Sequence, residues 1–253
     1  MSEGCGQKIG PFDCCTIVTG EASEFLVELP DEIADFLLLD PPFDVQGWTS
    51  SHHGYQFAAG ANWSSWARQW VRESYRIAKD GAAVFAVGNY QGFHYLAYEL
   101  ARAGFSHHSD YQVAYKGSRK RPTFNKFHVV TESWFYGTRG DSNRFKQQQA
   151  TIVPLTGNNT HLSYWLDPDG TVRRWEKSEQ LLSYFIDLTT VPGQLVIDPF
   201  VGSGTSILAA WQGGCHFLAC DINPEQVGRA RERVRNTQPP LFVMRPEQQT
   251  MEL

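Results

Sequence analysis

Four consecutive residues, Asp40-Pro41-Pro42-Phe43, carry the chemistry most easily read from this chain. They close the apolar run Phe36-Leu37-Leu38-Leu39, so a carboxylate, a rigid carbonyl and an aromatic ring gather at the end of a buried strand. Such a set can hold a flat amine: Asp40 and the Pro41 carbonyl each accept one amine hydrogen, and Phe43 stacks on the attached ring. Far along the chain, Leu195-Val196-Ile197 runs into Asp198-Pro199-Phe200-Val201-Gly202-Ser203-Gly204-Thr205, a second arrangement at a strand end. Gly202 and Gly204 allow a sharp turn and close approach of a ligand, and Thr205 and Ser206 are expected to cap the next helix. Asp221 ends the following strand, where a carboxylate can accept both hydroxyls of a ribose. Ile207 stands where a dinucleotide fingerprint needs its third glycine, which argues against a pyrophosphate cofactor. S-adenosylmethionine, with a ribose and no phosphate, fits better.

The elements that must position these residues alternate between strand and helix. A strand from Thr16, a turn at Gly20-Glu21, a helix over Ala22 to Leu29 and a strand over Phe36 to Leu39 lead to the first site. Residues 44–65, rich in Gly, Ser, His and aromatics without a clean period, read as a long loop and a candidate cover for the site. A helix from Trp66 to Ala78, stopped by Asp80-Gly81, precedes a buried strand over Ala82 to Val87. A helix over Gly92 to Ala103 and strands over Tyr111 to Tyr115 and Ser133 to Tyr136 follow. Around the second site the pattern is a helix over Ser178 to Thr189, the strand into Asp198, a helix over Thr205 to Gln212, a strand over His216 to Cys220 and a helix over Pro224 to Val234. Alternation of this kind implies a mostly parallel sheet with helices on both faces and ligands at the carboxyl ends of the strands. Asp40 and Asp198 should then share one edge of the sheet. The expected organisation is one domain in two halves, residues 1–140 catalytic and 175–238 cofactor-binding, interrupted by a polar insert at 141–174 and followed by a tail at 239–253.

With 253 residues, 42% of them hydrophobic, the chain can bury one large α/β core. No stretch approaches the roughly 20 apolar residues that span a bilayer, so a soluble, cytoplasmic protein with no membrane partner is expected. Five cysteines without a Cys-x-x-Cys pair indicate neither a disulfide framework nor a zinc knuckle, and no metal is expected. The histidines at 52, 53, 107, 108, 128 and 161 likewise lack zinc-like spacing. A net charge of −5 excludes a uniformly basic nucleic-acid binder. One local cluster, Lys116, Arg119, Lys120, Arg121 and Lys126, has interleaved aromatics and no acidic residue, and is the candidate phosphate-binding segment. The arginines at 229, 231, 233 and 235 share a helix with Glu225 and Glu232 and read as a solvated face.

The order of these motifs resembles the β-class DNA amino-methyltransferases, which modify adenine N6 or cytosine N4. In that family the catalytic (Asp/Asn/Ser)-Pro-Pro-(Tyr/Phe/Trp) comes first, a target-recognition segment follows, and Asp-Pro-Phe-x-Gly-Ser-Gly-Thr comes last. Leu29-Pro30-Asp31, Arg76 to Gly81, Tyr115-Lys116, Thr131-Glu132 and Asp221-Ile222-Asn223-Pro224-Glu225 resemble further family positions. The chain departs from the family where His-Pro-x-x-Lys-Pro is usual, having Arg173-Arg174-Trp175-Glu176-Lys177-Ser178 instead. Its recognition segment, 141–174, is short.

The resemblance implies a Rossmann-like S-adenosylmethionine-dependent methyltransferase fold with circularly permuted motif order. Asp40, Pro41, Pro42 and Phe43 become the catalytic set. Asp198, Phe200, Gly202, Ser203, Gly204, Thr205, Asp221, Asn223, Glu21 and Lys177 become cofactor-binding, and the basic cluster binds DNA. The implied activity is methylation of a base flipped from double-stranded DNA, with adenine N6 favoured over cytosine N4. A homodimer and a cognate restriction endonuclease are the implied partners. The competing classes are a non-catalytic DNA-binding subunit and a glutamine side-chain methyltransferase, whose cofactor motif normally comes first.

Overall fold

The computed structural model describes residues 6–42, 63–88, 93–114, 131–140, 164–166, 172–174 and 176–237. Two short strands, β1 (Lys8–Ile9) and β2 (Phe12–Asp13), form an antiparallel hairpin that the sequence pattern did not announce. Then come β3 (Thr16–Thr19), α1 (Ala22–Val27), β4 (Ala34–Leu39), α2 (Trp63–Ile77), β5 (Ala78–Gly88), α3 (Phe93–Ala103), β6 (Phe105–Ala114) and β7 (Thr131–Arg139). After the hairpin β8 (Tyr164–Leu166) and β9 (Val172–Arg174), the series closes with α4 (Glu179–Thr189), β10 (Leu195–Asp198), α5 (Thr205–Gln212), β11 (His216–Asp221) and α6 (Pro224–Asn236).

Seven strands form one sheet in the order β3-β11-β10-β4-β5-β7-β6. The ladders β3/β11, β11/β10, β10/β4 and β4/β5 are parallel, and β7 runs antiparallel to both neighbours. The late strands β10 and β11 slot between β4 and β3, which is how the last motif in the sequence becomes the neighbour of the first.

Strand residues alternate between two cores. Leu37, Leu39, Val84 and Ala86 face a cluster with Phe25, Trp70 and Leu96 of α1, α2 and α3. Phe36, Leu38, Phe85 and Val87 face Leu181, Phe185, Ile207, Trp211 and Val227 of α4, α5 and α6. Phe36 and Phe85 are fully buried, and burying such a ring stabilises the fold by about 1.5–3 kcal/mol relative to leaving it in water. Because both faces are covered, the central strands read as continuous apolar runs. This is the Rossmann-like α/β architecture expected.

Several boundaries moved. The helix α2 ends at Ile77 and the chain pairs with β4 at once, Ala34 opposite Ala78 and then Phe36 opposite Ala83, so Asp80-Gly81 lies in an irregularity inside the strand instead of separating helix from strand. The strands β6 and β7 are longer than their apolar cores suggest, because they pair with each other over their full length. A buried carboxylate ties the two central strands together: Asp35 Oδ2 accepts from the Leu195 backbone N–H at 3.0 Å and from Lys79 Nζ at 2.8 Å. Phe43, the loop over 44–62, the basic cluster from Lys116 to Lys126 and most of the insert lie outside the described residues.

Candidate active site

Two strand ends build the site. The parallel ladder sets Val196 beside Phe36 and Ile197 beside Leu37, so Asp40 and the loop from Asp198 leave the sheet on the same edge, on adjacent strands. Between β4 and β10 the connections diverge, α2 covering one face and α5 the other, which is the switch point where open α/β sheets bind ligands.

At the end of β4 the Asp40 side chain is about a quarter exposed, and the nearly buried Lys177 ammonium lies 3.5 Å from its Oδ2. The charge of Lys177 compensates the Asp40 carboxylate, and its Nζ also lies 5.9 Å from the centre of the Trp134 ring. Just beyond, the Trp63 indole N–H donates to the Pro42 carbonyl at 2.8 Å, which fixes the plane of the peptide after the proline pair. Pro41 and Pro42 hold φ, and Trp63 holds the exit. No pattern in the chain marks Trp63 for this role, because its partner is a backbone atom contributed by a distant strand end.

The loop after β10 is shaped by buried polar contacts. Asp198 is 2% exposed, and both its oxygens are used: Oδ1 accepts from the Phe200 N–H at 2.8 Å and Oδ2 from the Ser206 hydroxyl. Together they pin the loop to the first turn of α5. Burial pushes the Asp198 carboxyl up to about 7, with the nearby charges of Asp40 and Asp221 adding to the rise and the two hydrogen bonds opposing it. Phe200 is also withdrawn, its ring packing edge-on to Trp70 at 5.0 Å and Trp66 at 5.8 Å.

Gly204 is the N-cap of α5, at φ 89° and with no side-chain cap, so the capping expected of Thr205 and Ser206 does not occur. Their hydroxyls point elsewhere. Ser206 serves Asp198, while Thr205 donates to Glu176 Oε1 at 3.1 Å. Gly202 and Gly204 differ in what surrounds them. A Cβ on Gly202, at φ 49°, would meet nothing within 4 Å, whereas one on Gly204 would meet the Ala230 Cβ at 2.7 Å. The first glycine faces open space at the strand edge, and the second lets α6 pack tightly.

At the end of β11, Asp221 Oδ2 accepts from the Gly202 N–H and Oδ1 from the Asn223 N–H, both at 2.9 Å. These two bonds tie the end of β11 to the glycine loop and to the start of α6. Asn223 caps α6 by accepting from the Glu225 N–H. Glu21 is more heavily committed. It accepts from the Ser23 and Glu24 N–H groups at 2.7 and 3.1 Å as the N-cap of α1, and its other oxygen accepts from the Trp66 indole at 2.8 Å and from the Ser23 hydroxyl. Through these bonds Glu21 holds α1 to α2.

On α6, Arg229, Arg231 and Arg235 are exposed, as the charge pattern suggested, while Arg233 is partly buried, and two of the four make specific contacts. Arg233 Nη1 donates to the Ser203 carbonyl at 3.1 Å, to the Ser203 hydroxyl at 3.2 Å, to Thr205 Oγ1 at 3.1 Å and to Glu176 Oε1. One guanidinium thus joins the glycine loop to the segment that carries Lys177. Arg231 donates to the Ile17 carbonyl of β3 at 2.9 Å. Only the folded placement of α6 reveals these roles, since acidic neighbours in sequence offered a simpler account of the charge.

A glycine-bearing loop after one parallel strand, a carboxylate after the next and an acidic-proline motif on the neighbour define a Rossmann-like enzyme of the amino-methyltransferase kind. The family model described as DNA methylase, covering N6 and N4 enzymes, matches residues 34–232, and the chain belongs to that family. It is 23% identical over 250 residues to the type II methyltransferase M.HinfI of Haemophilus influenzae, spanning 88% of this chain and 69% of that protein. Among solved structures, M1.HpyAVI in its complex with S-adenosylmethionine superposes with a TM-score of 0.63 at 17% identity, covering 88% of this chain and 99% of the other. The PvuII DNA methyltransferase, described as cytosine-N4-specific, gives a TM-score of 0.67 at 16% identity and covers 92% of each chain. At these identities the structural likeness concerns the fold. No described helix is long and apolar enough to cross a membrane.

Proposed function

We propose that this chain transfers a methyl group from S-adenosylmethionine to the exocyclic amine of a base flipped from double-stranded DNA, with adenine N6 as the target. The observation that carries the reading is the adjacency of Asp40 and the Gly202–Gly204 loop at the carboxyl ends of neighbouring parallel strands. The cradle suits the cofactor: Gly202 opens onto free space, and the Asp221 carboxylate lies beside it at the end of the next strand, where a ribose would sit. Gly202, Ser203, Asp221 and Asn223 would hold it, and it supplies an electrophilic sulfonium methyl.

Every other step belongs to the chain. The Asp40 carboxylate and the Pro41 carbonyl each accept a hydrogen of the base amine, drawing the nitrogen toward tetrahedral geometry with its lone pair aimed at the methyl carbon. Lys177 offsets the charge of Asp40 in a site that must exclude water. As the N–C bond forms and the C–S bond breaks, the surplus proton leaves the nitrogen through its hydrogen bond to Asp40. The rate gain comes from orientation and from acceptors fixed in advance by Pro41, Pro42 and Trp63. Flipping costs a few kcal/mol, against which aromatic stacking returns about 1–3 kcal/mol per base. The basic segment from Lys116 to Lys126 supplies phosphate contacts.

Asp-Pro-Pro at the catalytic position favours adenine, since the resembled family's cytosine enzymes tend toward Ser-Pro-Pro. Cytosine N4 is the second reading, favoured by the fold likeness to the cytosine-N4-specific PvuII enzyme. Mass spectrometry of nucleosides from treated DNA separates the two by the modified base. Asp40→Ala should abolish transfer of radiolabelled methyl while S-adenosylmethionine binding, read by calorimetry, persists. Turnover retained in that variant rejects the mechanism.

A further inference from the structure

At the opposite edge of the sheet, where β3 and β11 begin, the fold assembles three soft donors. Cys14 and Cys15 sit between β2 and β3, and His216 opens β11. The Cys15 N–H donates to the Phe217 carbonyl at 2.8 Å, which draws the two segments together. Side chains of consecutive residues in an extended strand point to opposite faces. Cys15 breaks that alternation with φ at 60°, a conformation uncommon for a residue with a Cβ, and its sulfur turns to the same side as that of Cys14.

The three donor atoms form a compact triangle. The two sulfurs are 3.6 Å apart, Cys14 Sγ is 3.3 Å from His216 Nδ1, and Cys15 Sγ is 3.8 Å from the same nitrogen. Bonds of about 2.3 Å to sulfur and about 2.0–2.1 Å to nitrogen, spread tetrahedrally around one ion, place the ligand atoms roughly 3.5–3.8 Å apart. The observed triangle is therefore close to one face of such a tetrahedron. Cys14 and His216 are buried, and Cys15 is half-buried, so a fourth position stays within reach of water. A donor set of two sulfurs and one imidazole suits thiophilic cations of the zinc type and is poorly matched to magnesium or calcium, which take oxygen ligands.

We propose that Cys14, Cys15 and His216 form a binding site for a zinc-type cation, remote from the methyl-transfer edge and independent of it. The spacing of the cysteines had pointed to buried thiols and no metal; the third donor arrives from the far end of the chain, which no local pattern reveals. Binding forms two S–M bonds and one N–M bond, and any proton still on a ligating thiol passes to solvent. By joining the strand starts of β3 and β11, the ion would tie the amino-terminal segment to the cofactor-binding half.

Cobalt(II) titration of the full, reduced chain after chelator treatment tests this, followed by the thiolate-to-cobalt charge-transfer band and by displacement with zinc. The expected result is one ion per chain in a tetrahedral spectrum, displaced by zinc. Cys15→Ser and His216→Gln should each weaken binding by about tenfold or more. Circular dichroism checks that the variants fold; should one fail, the wild-type spectrum still decides. Absence of the band in the wild-type chain overturns the proposal. So does an unchanged band in the Cys14→Ser/Cys15→Ser chain, which would place the ion on other thiols.

Discussion

Asp198 shows how a motif residue can shape the site from inside the protein. Its carboxyl is buried beneath the glycine loop, and burial, with the charges of Asp40 and Asp221, raises it from 3.8 to about 7. A carboxyl raised in the folded state binds more protons there than in the unfolded chain. Its contribution to stability is therefore complete below about pH 4 and is lost as pH rises to about 7. Asp198→Asn keeps an acceptor for the Phe200 N–H but cannot ionise. The stability of the wild type relative to Asp198→Asn should fall through that window, with a slope of up to about 1.4 kcal/mol per pH unit. Urea unfolding of both proteins at several pH values measures it, and a difference that does not change with pH would show an unshifted carboxyl. The identity of this residue was plain in the sequence, but its role was not. Whether a motif carboxylate points at a ligand or into the loop depends on Ser206 and Phe200, whose contacts exist only once the turn is made.

At the level of elements, the loop from β10 to α5 depends on two glycines used for different reasons. Gly204→Ala forces a left-handed backbone, costing about 1–2 kcal/mol, and drives a Cβ into Ala230, which adds an overpacking cost of about 1–3 kcal/mol. Gly202→Ala carries the same backbone cost and no clash, yet its methyl enters the space assigned to the cofactor. Thermal melts should rank Gly204→Ala as the less stable. S-adenosylmethionine affinity, measured on folded protein, should fall by about tenfold or more in Gly202→Ala, a difference of ~1.4 kcal/mol. Equal melting points for the two variants would mean that α6 can retreat from the loop. The Gly-x-Gly spacing marked this loop in the sequence, and helix α5 falls at the predicted Thr205 to Gln212. What periodicity missed were features set by partners in the fold: the β1/β2 hairpin of two-residue strands, the early start of β5 against Ala34, and the full length of β6 and β7.

Across the whole molecule, the segment that carries Lys177 has to be held against the glycine loop, and Arg233 joins the two. The Glu176 side chain is 8% exposed and pairs with Arg233, which also grips Ser203 and Thr205. Glu176 in turn precedes Lys177, the counter-charge to Asp40. Removing the guanidinium takes an ion-pair partner from a buried carboxylate, a loss of up to about 3–5 kcal/mol when that carboxylate is truly desolvated. Arg233→Met should therefore lower stability by that order. It should also reduce methyl transfer, because the segment that aims Lys177 is no longer fixed to the glycine loop. Adding Glu176→Leu removes the stranded charge and should restore most of the stability without restoring the rate, since the link from α6 to Lys177 is still absent. Denaturant unfolding of the two single variants and the double variant gives the coupling energy, and single-turnover kinetics on the same proteins gives the rate. If the double variant regained both stability and rate, the contribution of Arg233 would reduce to charge balance, and the alignment of Lys177 would have to come from β7 and Trp134 alone.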